Sequence, residues 1–213
     1  MKGSSHLGIG IAVGAIAGYI TQPDFMTVAI CAGIGGASGV APDLDTNGLA
    51  TNRITLSKKV SKVLMEVAGI GILLMLIYQV MTQGMSSEIY IYGGIGLVLL
   101  IVSRVITQRR MLTITGVLVM LLGFVLDKSI GILLAGSYIT FASFLPHRSY
   151  THSLIGVAFY ALILKYLYIE WPIEGMMAAG LAGYISHLVA DMKMLPVNRR
   201  GVKWFAPLWK QEF

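Results

Sequence analysis

The chain has 213 residues and a formal net charge of +6, from 16 basic and 10 acidic side chains. It is 56% hydrophobic and 12% charged, with a mean hydropathy of +0.76, whereas soluble domains are about 25% charged. That balance excludes an ordinary water-exposed globular domain. The single cysteine, Cys31, excludes an internal disulfide and a cysteine-based metal site.

Eight apolar segments follow one another, at 7–21, 26–41, 63–81, 89–106, 111–126, 129–145, 153–169 and 173–190. They predict an all-α fold, a polytopic helical membrane bundle forming one domain over 1–213. Several segments fall short of the ~20 residues of a full span. Those cross only with flanking residues, local thinning of the bilayer, or burial against other helices.

The first segment follows Lys2 and His6 and has no small-x-small cleavage site before Gln22-Pro23-Asp24, so it is read as retained rather than removed. Gly10, Gly14 and Gly18 recur in it every fourth residue, and Gly33, Gly36 and Gly39 recur in the second every third. Small residues at such spacings let helix backbones approach closely in a membrane. A tight hairpin of the first two helices is expected, returning His6 to the neighbourhood of Asp43 and Asp45. Cys31 reads as a small packing residue within it. Pro42 closes the second segment and predicts an extended turn at Ala41.

Beyond it, 53–62 and 104–110 are basic loops. If all eight segments cross, alternation places 14 of the 16 basic residues on one side and only Lys128 and Lys165 on the other. The positive-inside rule makes the basic side cytoplasmic. The net charge is thereby explained by sidedness, and nucleic acid is not an expected partner. The tail brings Trp204, Phe205 and Trp209 together with Lys203 and Lys210, a composition suited to lying in the membrane interface.

The four histidines all stand at segment ends, and the same alternation puts them on the basic side with three aspartates. His187 and Asp191 are four apart, which on a helix puts both on one face; that is ligand spacing and equally the spacing of a helix-end hydrogen bond. Asp43 and Asp45 flank Leu44, and two carboxylates that close repel unless a cation or water separates them. His147-Arg148-Ser149-Tyr150-Thr151-His152 follows Pro146; Ser149 or Thr151 suits a helix cap, which accounts for neither histidine. Arg148 offers a planar fork for phosphate or carboxylate, or serves only the charge asymmetry. Imidazole and carboxylate without thiolate suit one or two divalent ions such as Zn²⁺ or Mn²⁺. The ligand set read from the sequence is His6, Asp43, Asp45, His152, His187 and Asp191, with His147 and Arg148 reserved for the reaction.

These pieces resemble the YdjM-like family of LexA-regulated inner-membrane proteins. The matching parts are His6, Pro42-Asp43-Leu44-Asp45, His147-Arg148 with Thr151-His152-Ser153, and Gly183-Tyr184-Ile185-Ser186-His187-Leu188 with Asp191. They run from residue 6 to 191 in the family's order. The tail departs from the pattern, since Asp191 leads into Met192-Lys193-Met194-Leu195-Pro196 without the threonine common there. The resemblance implies a metal-dependent hydrolase in the bacterial inner membrane. The family in turn looks like a distant relative of the zinc-dependent phospholipase C and P1 nuclease group, which implies a phosphoester substrate.

The expected activity is therefore hydrolysis of a phosphoester, a lipid headgroup being the candidate that lies nearest, at the cytoplasmic face. Arg148 would hold an anionic oxygen and His147 would protonate the leaving group. The other readings are a transporter or channel and a membrane protein that binds metal without catalysis. Transport normally places ionisable groups at mid-span, whereas the acidic Glu66 stands near one end of its segment and the candidate residues cluster at a rim.

Overall fold

The computed structural model describes residues 2–46, 48–55, 57–194, 198, 200–209 and 211–213. Lys210 of the expected interfacial tail and Arg199 of the basic tally lie outside these. Among the described residues there are nine α-helices and no strand: α1 (Gly3–Thr21), α2 (Phe25–Val40), α3 (Leu49–Ile54), α4 (Lys58–Gln83), α5 (Glu88–Val105), α6 (Gln108–Val125), α7 (Ile130–Ala142), α8 (Leu154–Glu170) and α9 (Met176–Ala190). Each of the eight apolar segments is a helix, and the fold is the helical membrane bundle expected. Short α3 is the addition, formed inside a stretch that reads as polar loop. Helix α4 starts five residues before its apolar segment, because Lys58, Lys59 and Lys62 are good helix formers whose charged ends can reach back to water.

Five stretches are long and apolar enough to cross a membrane: Gly3–Thr21, Phe25–Asp45, Leu49–Gln83, Glu88–Val105 and Gln108–Val125. Ile130–Ala142 and Met176–Ala190 are apolar but shorter. Large apolar side chains face outward along the long helices, among them Val67, Leu74, Met75 and Tyr78 of α4 and Val98 and Ile101 of α5. Such surface is stable against lipid, not water.

The chain forms two compact units, Met1–Ile54 with Leu112–Phe213, and Thr55–Met111. The second holds the α4–α5 hairpin. Gly69 and Gly96 face one another there, and Ser103 and Arg104 of α5 reach Glu66 of α4.

In the first unit, α1, α2 and α9 pack on one another through small residues. Gly10 and Gly14 of α1 meet Gly35 and Gly39 of α2, and Gly18 meets Cys31. A Cβ on Gly14 would lie 2.9 Å from the Gly35 Cα, and one on Gly10 would lie 3.1 Å from the Gly39 Cα. The contact stripe on α2 is thus Cys31, Gly35 and Gly39, spaced by four to match the ridge of α1. Gly33 of the expected every-third series has open space where its side chain would be, and Gly36 packs on Leu7 and Ile11. Gly183 brings α9 onto the same Gly35, so three backbones converge at one residue. Cys31 is fully buried, as a packing residue should be.

Asp24 caps α2 by accepting hydrogen bonds from the amides of Met26 (2.9 Å) and Thr27 (3.0 Å). At its other end Ala41 keeps helical angles, φ −60° and ψ −39°, and the chain tightens into a 3-10 turn over Ala41–Asp45. The extended turn expected at Ala41 is not formed. Proline disfavours a helical residue before it without forbidding one, and at the first turn of a new helix its missing N–H costs nothing.

The candidate metal centre

Five helix ends of the first unit meet in one place. His6 comes from the first turns of α1 and Asp43 and Asp45 from the turn after α2. His147 and Arg148 follow α7, His152 precedes α8, and His187 and Asp191 close α9. All eight residues singled out in the sequence therefore lie in one cluster. Glycine packing of α1, α2 and α9 sets the first, second and last contributors against one another. Two buried tyrosines join the loops beneath. Tyr138 donates to the Ala41 carbonyl (3.2 Å) and lies 3.0 Å from the Tyr184 hydroxyl, which donates to the Thr151 carbonyl. Together they bind the 41–45 turn to the 150–152 turn.

The ring nitrogens are sorted by their partners. His187 Nδ1 lies 2.7 Å from the Gly39 carbonyl, which can only accept, so Nδ1 carries the proton. His152 Nδ1 lies 3.0 Å from Thr151 Oγ1, whose own proton goes to Asp45 Oδ2 at 2.7 Å; Nδ1 is again the donor. Both Nε2 atoms are left as lone pairs. They face each other at 3.2 Å, with Asp43 Oδ1 3.6 Å from His187 Nε2 and 3.7 Å from His152 Nε2. Asp191 Oδ2 stands 3.9 Å from each. The two Nε2 atoms and Asp43 Oδ1 converge with no donor to them among the described residues, while Asp191 Oδ2 also accepts from Arg148. His6 stacks on His187 with ring centroids 3.8 Å apart. Its Nε2 lies 3.3 Å from Asp191 Oδ1, and its buried Nδ1 has no hydrogen-bond partner among the described residues.

Asp45 has a different surrounding. Its side chain is wholly buried. It receives His147 Nδ1 (2.9 Å), the Arg148 amide (3.2 Å) and the Thr151 hydroxyl (2.7 Å), with His152 Nδ1 3.5 Å away. Arg148 sits at φ 60°, a left-handed conformation that strains a residue with a side chain. Its guanidinium donates to Asp191 Oδ2 (3.1 Å) and to the Arg200 carbonyl. The side chain is 17% exposed and that of His147 43%, so the cluster opens on this edge.

Two groups have three side chains whose donor atoms lie within 4.8 Å of one another, His6 with His187 and Asp191, and Asp43 with His147 and His152. A divalent ion with ~2.0–2.1 Å bonds spaces tetrahedral ligand atoms by roughly 3.3 Å, and the observed separations of 3.2–3.9 Å are within a small rotamer adjustment of that. The donor set thus fits a divalent metal.

Charge is distributed to match. The hydrogen bond to Asp45 raises the His147 pKa against the opposing effect of burial. Burial works against ionisation of Asp191, but the hydrogen bond from His6 and the proximity of His187 and Arg148 outweigh it and hold the carboxyl below its usual range.

Tyr138, the Gly39 carbonyl and the structural part of Thr151 have no mark in the sequence. Tyr184 did have one, since it lies three residues before His187 and so on the same helix face. In the tail, Trp204 packs against the buried core, while Leu208 and Trp209 are exposed.

Fold and cluster together define a polytopic helical membrane protein whose first unit gathers histidine and aspartate side chains at one end of its helices. The chain belongs to the YdjM inner membrane protein family, whose description matches residues 1–213. Neither the curated proteins nor the solved structures yield a match.

Proposed function

We propose that the protein is a metal-dependent hydrolase of phosphoesters, working at the cytoplasmic face of the inner membrane. The observation that carries this reading is the pair of Nε2 lone pairs 3.2 Å apart, faced by the carboxylates of Asp43 and Asp191. A cation between them turns that repulsion into coordination. Gly39 and Thr151 fix the ring tautomers from behind, the outer-shell pattern of metal-bound histidine. His152, His187, Asp43 and Asp191 are the central donors, with His6 beside them. A divalent ion held there, Zn²⁺ or Mn²⁺, would supply Lewis acidity toward the ester and toward water. Arg148 holds Asp191 in place and keeps positive charge at the open edge, where an anionic ester oxygen would approach.

The cytoplasmic orientation is supported by the excess of basic residues on the side to which alternation of the eight segments would assign the cluster. A membrane lipid headgroup is the phosphoester nearest at hand. Transport is less well supported, because the ionisable cluster lies at helix ends and not at mid-span.

The test is to purify the protein in detergent, measure bound metal, and compare phosphoesterase turnover of wild type with His187→Ala and Asp43→Ala. Metal and turnover are expected to be lost together in both variants. Wild type that holds no metal after supplementation with zinc or manganese would sink the proposal. A reporter fused after Phe213 should be active only on the cytoplasmic side, and an external signal would overturn the orientation.

A further inference from the structure

The cluster contains more donors than one ion can use. A four-coordinate ion amid His152, His187, Asp43 and Asp191 leaves out His6 and His147, and the His6 Nδ1 is a buried polar atom without a partner among the described residues. The two oxygens of Asp191 also face different ways, Oδ1 toward His6 at 3.3 Å and Oδ2 toward His152 and His187 at 3.9 Å. His147 uses Nδ1 on Asp45, which turns its Nε2 into the free lone pair. Asp45 belongs to neither group of converging donors.

We infer that the centre holds two divalent ions, one on His6, His187 and Asp191 and the other on Asp43, His147 and His152. Asp45 is a positioning residue, not a ligand. The inference rests on the metal reading proposed above and divides its four central donors between two ions; it also makes His147 a ligand where the sequence suggested a proton donor, and moves Asp45 from the ligand set read in the sequence to the shell behind the ligands. Each ion receives two imidazoles and one carboxylate, a three-donor set that leaves coordination positions open for water and substrate. Asp45 holds the second set in shape, since it fixes His147 directly and faces His152 Nδ1 at 3.5 Å. Its bonds to Thr151 and to the Arg148 amide fold the 147–152 loop over the cluster and sustain Arg148 at φ 60°. Charge agrees with an anionic substrate. Three carboxylates against Arg148 sum to −2 with neutral histidines; one divalent ion only neutralises that, whereas two leave +2 to attract a phosphoester.

Stoichiometry decides it. Detergent-purified wild type titrated with Mn²⁺ or Zn²⁺ should bind two ions per chain by elemental analysis, and its Mn²⁺ form should show the spin-coupled resonance of a pair. His147→Ala and His6→Ala should each retain one ion and an uncoupled spectrum; His147→Gln gives a second, less disruptive version of the first. Asp45→Asn should still bind two ions at saturation, the one beside His147 some 10- to 100-fold more weakly, the usual effect of an outer-shell change. One ion per wild-type chain, or two in both His147 variants, overturns the two-ion centre. Asp45→Asn that loses an ion even at saturation, or binds both as tightly as wild type, overturns its positioning role. Two ions without phosphoester turnover would leave this inference standing and remove the hydrolase reading; no ion at all removes both.

Discussion

Two helical hairpins in this protein are built from similar apolar residues and packed in different ways. In α1–α2 the contact runs along Gly10, Gly14 and Gly18 on one helix and Cys31, Gly35 and Gly39 on the other, backbone against backbone. In α4–α5 glycines face each other only at Gly69 and Gly96, and elsewhere the hairpin meets through side chains such as Leu73 and Leu100. The charges differ likewise. Asp45 and Asp191 are buried and each held by several donors, while Glu66 has Lys62 and Arg104 at 3.8 Å, both substantially exposed. Close backbone packing here accompanies a site in which helix ends must be placed to within an ångström. The α4–α5 hairpin carries no such cluster among its described residues and is packed as an ordinary pair of spans.

The contrast can be broken most strongly at Gly35. Gly35→Leu forces a side chain into the backbone of α1, where even a Cβ would stand 2.6 Å from the Gly14 Cα. The expected result is no monodisperse protein and no retained metal by size-exclusion chromatography and elemental analysis. Next in size is Arg148→Ala, which takes the guanidinium from the buried Asp191 carboxylate and leaves His6 as a side-chain donor to it in the cluster; about 2 kcal/mol of destabilisation is expected, read as a lowered melting temperature. Arg148→Gly loses the same ion pair but relieves the positive φ, so it should recover about 1 kcal/mol relative to alanine. In the other hairpin, Gly96→Ala meets only the tip of Leu73 at 3.1 Å and the Gly69 carbonyl at 3.3 Å, and should cost about 1 kcal/mol. Glu66→Gln should be smallest, about 0.5 kcal/mol or less, because its ion pairs are largely solvated. A Gly96→Ala effect as large as that of Gly35→Leu would remove the distinction between the hairpins.

The eight main helices were legible because apolar length is a strong signal and lipid leaves the backbone no alternative to internal hydrogen bonding. Helix α3 was not, since six residues, Leu49–Ile54, carry too little periodicity to stand out. The glycine pattern foretold the α1–α2 hairpin and the return of His6 toward Asp43, but not which glycines touch. Gly33, Gly36 and Gly39 look regular in sequence, yet the helix that packs on them reads a spacing of four. The cluster's membership was legible because segment alternation brings the polar ends to one side. The division of labour within it was not. Asp43 and Asp45 are chemically identical two residues apart, and only the turn decides that one faces the imidazole nitrogens while the other is surrounded by donors. Arg148 likewise reads as a free anion binder until the fold pairs it with Asp191.

Helices α7 and α9 have 13 and 15 residues, about 20 and 22 Å at 1.5 Å per residue, against a hydrocarbon layer of about 30 Å. Helix α7 runs into the loop that carries His147, and α9 carries His187 in its last turn. Helices this short can cross only where the bilayer thins toward them or where neighbouring helices shield them from lipid. Membrane thickness thereby becomes a variable in how these two helices are accommodated.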